Sequence, residues 1–324
     1  MMSVLSPSFG WVILSVTLFV AGCAGHPLQT DHLLRSPAAQ QAPVELTAVP
    51  FFPQEEFQCG PAALATVLNW SGTRLVPQDL APQVYLPGRH GSLQIELLTA
   101  ARRHGRVAYV LRPELATLIA EVRAGHPVLV LQNLGLSWYP KWHYAVVVGF
   151  DLQQDQIILR SGREQRHVVP IKLFERTWRR GDYWAVTVTT PGHLPVSAEE
   201  IPYLQAVAPL ERLQRWQDAE AAYAAALTRW PNSIAAHMGM GNSRYALHDV
   251  RGAETAYRHV TQQDPNFAPA YNNLAQTLAD QNHLDAAEQA ARHAVSLGGP
   301  LLATYEETLQ QIVARQAVRK RETP

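Results

Sequence analysis

Two cysteines, Cys23 and Cys59, and thirteen histidines are the side chains of this chain best suited to covalent or proton-transfer chemistry. Cys59 stands in Glu55-Glu56-Phe57-Gln58-Cys59-Gly60-Pro61, directly before the Ala-rich stretch 62–70. Gly60-Pro61 suits a helix entrance, since proline is tolerated in the first turn. A thiol at that place meets free backbone N–H groups and the positive end of the macrodipole, both of which favour the thiolate. A nucleophilic thiol also needs a base. His143 differs from the other histidines in context: it follows Trp138-Tyr139-Pro140-Lys141-Trp142 and leads through Tyr144 into AVVVGF (145–150). Trp138 and Trp142 are candidate walls of a substrate groove beside it.

The elements that must position this pair are readable around it. The β-branched run after His143 reads as a buried strand with the histidine at its mouth. Residues 157–163 read as a second strand, returning after the polar turn 151–156. Segments 93–104 and 113–124 have the periodicity of amphipathic helices, 128–134 reads as a buried strand, and 183–189 as the closing strand. Ala48 to Pro53 is a short extended stretch. His126, in Gly125-His126-Pro127, is a turn residue. His90, His104 and His167 show no metal-ligand spacing and read as solvated, so no metal and no cofactor is expected.

Gln54…Cys59-Gly60-Pro61-Ala62-Ala63-Leu64 and Trp142-His143-Tyr144-Ala145-Val146-Val147-Val148-Gly149 together resemble the C39-like, papain-fold cysteine peptidases of the bacteriocin-processing type. The resemblance spans residues 46–191 and implies an α+β papain-like domain in which Cys59 attacks a carbonyl and His143 relays the proton. It implies an oxyanion donor at Gln54, with Gln58 the weaker candidate. The family usually places an Asp on the strand after the histidine strand. Asp151 lies eight residues beyond His143 along one strand, roughly 26 Å away at ~3.3 Å per residue, and cannot serve. A hairpin closed at 151–156 instead returns residues 161–164 to the histidine, so the family position falls near Ser161, with Glu164 a further candidate. A neutral Ser161 stabilises imidazolium less than a carboxylate does.

The N-terminus carries a second use of cysteine. Phe9 to Val20 is an apolar run too short for a comfortable span of a ~30 Å hydrocarbon core and of the length of a signal-peptide h-region. Val20-Ala21-Gly22-Cys23 resembles a bacterial lipobox, which implies cleavage before Cys23, lipidation of that cysteine and anchoring through several acyl chains. Residues 1–8 depart from the pattern in holding no Lys or Arg. Ala24 after the cysteine implies the outer membrane, facing the periplasm. Residues 23–45 read as a tether.

Beyond a linker at 192–199 the chain repeats itself. Ala219, Ala253 and Ala287 are 34 residues apart, as are Tyr223, Tyr257 and Ala291, and Pro231 and Pro265. This is the tetratricopeptide period. It predicts three repeats (200–233, 234–267, 268–301), a capping helix to 318 and a basic tail at 319–324, forming an all-α solenoid. Its concave groove is expected to take a protein partner. Lys+Arg and Asp+Glu both number 27 among 324 residues, a balance that argues against nucleic acid as a partner. No G-x-x-x-x-G-K-[ST] loop is present, so ATP-driven export is not expected of this chain. The sequence therefore reads as a membrane-anchored cysteine peptidase acting on a peptide or protein. Its alternatives are a silent peptide-binding scaffold, or a thiol acyl transferase using the same Cys–His pair.

Overall fold

The computed structural model describes residues 27–55 and 57–322; the segment expected as a signal peptide and Cys23 lie outside them. The described chain opens with α1 (Leu28–Arg35) and β1 (Val44–Glu45), followed by α2 (Cys59–Trp70) and α3 (Pro77–Val84). A small ribbon of β2 (Tyr85–Leu86) and β3 (Gly91–Ser92) leads to α4 (Gln94–Arg103). Then come β4 (Val107–Val110), α5 (Leu115–Arg123), β5 (Val128–Asn133), β6 (Trp142–Asp151), β7 (Gln156–Ser161) and β8 (Glu164–Pro170). Helix α6 (Ile171–Arg179) and β9 (Ala185–Thr189) complete the first half.

The main sheet runs β4-β9-β5-β6-β7-β8, antiparallel at each pairing, with β1 also paired to β6. Alternation along each strand sends successive side chains to opposite faces. Leu129, Leu131, Tyr144, Val146 and Val148 pack with Leu64, Leu68 and Leu97 from α2 and α4. Val128, Val130, Ala145 and Val147 pack instead with Leu118, Phe174 and Trp178 from α5 and α6. The β6–β7 hairpin pairs Asp151 with Gln156 and Val146 with Arg160, which brings Ser161 back towards His143. Asp151 stays at the far end, where its carboxylate accepts from the Gln153 and Gln154 N–H groups.

Of the stretch expected as a tether, the described residues 27–45 pack on the domain. Helix α1 seats against the domain: the Glu175 carboxylate accepts from the Gln29 and Thr30 N–H groups, at 3.2 and 2.7 Å. The Gln29 amide donates to Pro113 O, and β1 adds to β6. Residues 27–45 are therefore part of the folded body, because they supply backbone donors that a buried carboxylate requires.

The second half is helical: α7 (Glu200–Arg212) with α8 (Trp216–Arg229), α9 (Ile234–Ala246) with α10 (Val250–Gln263), α11 (Ala268–Asp280) with α12 (Leu284–Leu297), and α13 (Leu302–Glu322). Tyr223 of α8 and Tyr257 of α10 lie against α9 where Gly239 and Gly241 leave room; a Cβ at either glycine would collide with the ring. Helix α13 continues into the expected tail as far as Glu322, with Arg319 paired to Asp285.

The expected linker is also built into the core. The Tyr109 hydroxyl donates to Ser197 O, Glu199 N–H donates to Tyr109, and Arg229 donates to Ala198 O. Tyr203, Val207 and Leu210 of α7 share one hydrophobic core with Val107, Tyr109 and Leu111.

Candidate functional site

Cys59 is the first residue of α2, and Gly60 behind it packs on Ser92 of β3 so closely that a Cβ would collide with the serine side chain. The thiol is mostly buried and lies where the N–H groups of Tyr144, Gly60 and Cys59 itself reach it. Burial pushes its pKa above the ordinary thiol value, against those N–H groups. The helix start therefore does not by itself make a thiolate here: desolvation outweighs the aligned N–H groups.

His143 is the second residue of β6, one residue before Tyr144. Its Nε2 lies 2.8 Å from Ser161 Oγ, leaving Nδ1 as the other ring nitrogen. Burial, with His167 and Lys141 adding like charge, lowers the imidazole from its ordinary value to about 4. A carboxylate would have opposed both effects; a hydroxyl does not. Glu164, the other candidate, faces His167 Nδ1 at 2.8 Å.

Gln54 is held from three sides. Its N–H donates to Gly162 O, its Oε1 accepts from Gly162 N–H at 3.1 Å, and its Nε2 donates to Tyr144 O at 3.2 Å. One amide hydrogen then remains for another acceptor. Gly162 adopts φ +60° in the tight β7–β8 turn, a backbone state that favours glycine. The same turn thus fixes Gln54 and, one residue earlier, Ser161.

Gln54, Cys59 and His143 line one cleft of about 1060 Å³, together with Trp142 and His90. Gln58 lines a separate pocket beside α3. Trp138 does not line the cleft and stands largely in solvent. His90, read as solvated, is a cleft residue: its ring lies 5.2 Å from that of Phe57. Phe57, His90 and Asp182 all line the cleft with positive φ, at 62°, 48° and 55°. Non-glycine residues in that conformation carry local strain and concentrate at functional sites. Sequence periodicity does not register such residues; Asp182 and Gly181 at the C-terminal end of α6 are the nearest turn signal. Among the described residues no three metal-ligating side chains cluster.

Residues 46–185 match the model of the Peptidase C39 like family, and residues 256–289 match a tetratricopeptide repeat model. A search of the curated proteins found no match. Among solved structures, one described as a C39-like peptidase from Bacillus anthracis is 20% identical, covering 46% of this chain and 98% of that one at a TM-score of 0.39. The peptidase domain of Streptococcus ComA, a bi-functional ABC transporter involved in a quorum sensing pathway, is 21% identical. It covers 44% of this chain and 98% of that one at a TM-score of 0.36. The Yersinia enterocolitica type III secretion translocator chaperone SycD is 17% identical, with 36% and 83% covered and a TM-score of 0.34.

Proposed function

From a C39-like peptidase domain at residues 46–185, with tetratricopeptide repeats behind it, we propose a cysteine peptidase that cleaves a peptide or protein substrate. The observation that carries this reading is the convergence of Cys59, His143 and Gln54 in one cleft, with His143 Nε2 engaged by Ser161. The thiol proton passes to His143 Nδ1 as the Cys59 sulfur bonds to the scissile carbonyl carbon. Gln54 Nε2–H donates to the oxyanion so formed. The C–N bond then breaks, His143 returns the proton to the leaving amine, and water hydrolyses the thioester through the same histidine. The resting pair is thiol and neutral imidazole, so His143 works as a general base rather than as half of a preformed ion pair.

The uncharged pair favours a second reading, a silent peptide-binding domain. One assay separates them: the purified full chain is incubated with a peptide library and products are read by mass spectrometry. New termini with wild type and none with Cys59→Ala support the peptidase. Saturable binding without cleavage supports the silent domain, and incorporation of an added amine supports the acyl transferase.

The reading extends to place and partner. Val20-Ala21-Gly22-Cys23 supports lipid anchoring through Cys23 in the cell envelope at the outer membrane, and the repeat groove supports a protein partner. The mass of the N-terminal peptide from a membrane fraction tests the anchor; an unmodified chain starting at Met1 or Met2 rejects it.

A further inference from the structure

The loop joining β5 to β6 carries the most prominent apolar exposure among the described residues. Trp138 is 81% exposed, Tyr139 74%, Leu136 55% and Trp142 54%. Clustered exposure of this size marks an interaction surface. The loop is also tied down by hydrogen bonds: Asn133 Oδ1 accepts from the Gly135 and Lys141 N–H groups, both at 2.9 Å, and Leu136 and Tyr139 exchange backbone hydrogen bonds. Arg180 braces its base by donating twice to Asn133 O. A preorganised display of aromatic residues running from the rim of the cleft, at Trp142, out to Trp138 and Tyr139 asks for an occupant.

Two placements name it. The N-terminus of α1 lies at the same end of the sheet as this loop. The Gln29 amide hydrogen-bonds with the Tyr183 hydroxyl and engages Pro113 and Leu115, while Tyr183 follows the Asp182 that lines the cleft. Leu28 is the fifth residue after Cys23, at most about 17 Å of extended chain away. An acylated Cys23 would hold this end of the sheet close to the bilayer. Trp and Tyr favour the headgroup layer, where an apolar body and a polar tip are both satisfied, and Lys141 and Arg180 at the loop base suit anionic headgroups.

We infer that the Leu136–Trp142 loop dips into the lipid interface, so that the catalytic cleft opens at the membrane surface and takes membrane-proximal peptide segments. His143 lies only five residues beyond Trp138, so the two cannot be far apart. The orientation rests on the lipid-anchor reading above; the insertion of the loop does not.

The test uses the full chain reconstituted in phosphatidylethanolamine–phosphatidylglycerol vesicles whose acyl chains carry bromine, a short-range quencher of tryptophan. Wild type is expected to show bromine-dependent quenching, and Trp138→Phe to lose about half of it, since Trp138 and Trp142 are the exposed indoles among the described residues. Trp138→Lys with Tyr139→Lys should abolish the quenching, because cations resist insertion. Quenching equal in wild type and Trp138→Phe overturns the inference. So does a Trp138 that is dark to lipid yet quenched by a bromine-bearing substrate peptide, which would assign the patch to substrate. The mass of Cys23 is read on the same sample. Acylation without quenching rejects the loop alone, whereas quenching without acylation keeps the loop and rejects the anchor.

Discussion

At the residue scale the departure that matters is Ser161. With a hydroxyl on Nε2, His143 stays neutral down to about pH 4 and the buried Cys59 thiol stays protonated past its ordinary range. Ser161→Asp places a carboxylate on that nitrogen, which raises the imidazole pKa and in turn favours the thiolate. The expected result is iodoacetamide labelling of Cys59 that persists to lower pH than in wild type. For the wild type, the acid limb of kcat/KM should fall near pH 4; in Ser161→Asp it should move upward. Gln54→Ala removes the side-chain donor and should lower kcat by roughly 10²–10³, with KM changed less. Ser161 was legible because a hairpin's return is fixed by counting residues at a known rise. Phe57, His90 and Asp182 were not, since they come from three separate segments that line the cleft together, each with left-handed backbone that periodicity does not register.

Among the elements, sequence periodicity found those with strong periods and passed over the short ones. The helix after Cys59, the buried strands and the 34-residue repeats all carry many side chains on a regular interval. Helix α1 has eight residues and few apolar ones; what orders it is the demand of the buried Glu175 for N–H donors, a requirement set 145 residues away. Strand β8, largely exposed at the sheet edge, offered no apolar run either. The repeats make a sharper statement: α9 is thin because two tyrosines rest on it. Gly241→Ala should destabilise the full chain by about 1–3 kcal/mol through overpacking, read as a lower denaturation midpoint. The helical preference of alanine over glycine offsets only ~1 kcal/mol of that.

On the scale of the whole molecule, the two halves share one hydrophobic core. Glu121 of α5 is fully buried; Ser197 donates to it through N–H and hydroxyl, and His126 lies at 2.6 Å. Burial alone would raise its pKa, but the hydrogen bonds from His126 and Ser197 outweigh burial and hold the carboxyl below its usual range. A carboxyl depressed in the folded state stabilises above its unfolded pKa, and that contribution is lost as pH falls through the lower folded value. Glu121→Gln should therefore lower the melting temperature at neutral pH and narrow the gap from wild type below pH 4, as followed by calorimetry.

The sheet order has a consequence for how the protein comes into being. Strand β9 is the last strand made, yet it lies between β4 and β5, which precede it in the chain. Until residue 189 is available those two strands have no neighbour in common, and the wall at Gly181 and Asp182 has nothing to lean on. Pairings of such long sequence separation form slowly, because loop closure must come first. A chain not yet made as far as residue 189 thus carries Cys59 before the sheet beside its cleft is complete. On the proposed peptidase reading, the cleft around Cys59 is finished only once β9 has paired, well after the thiol itself has been made.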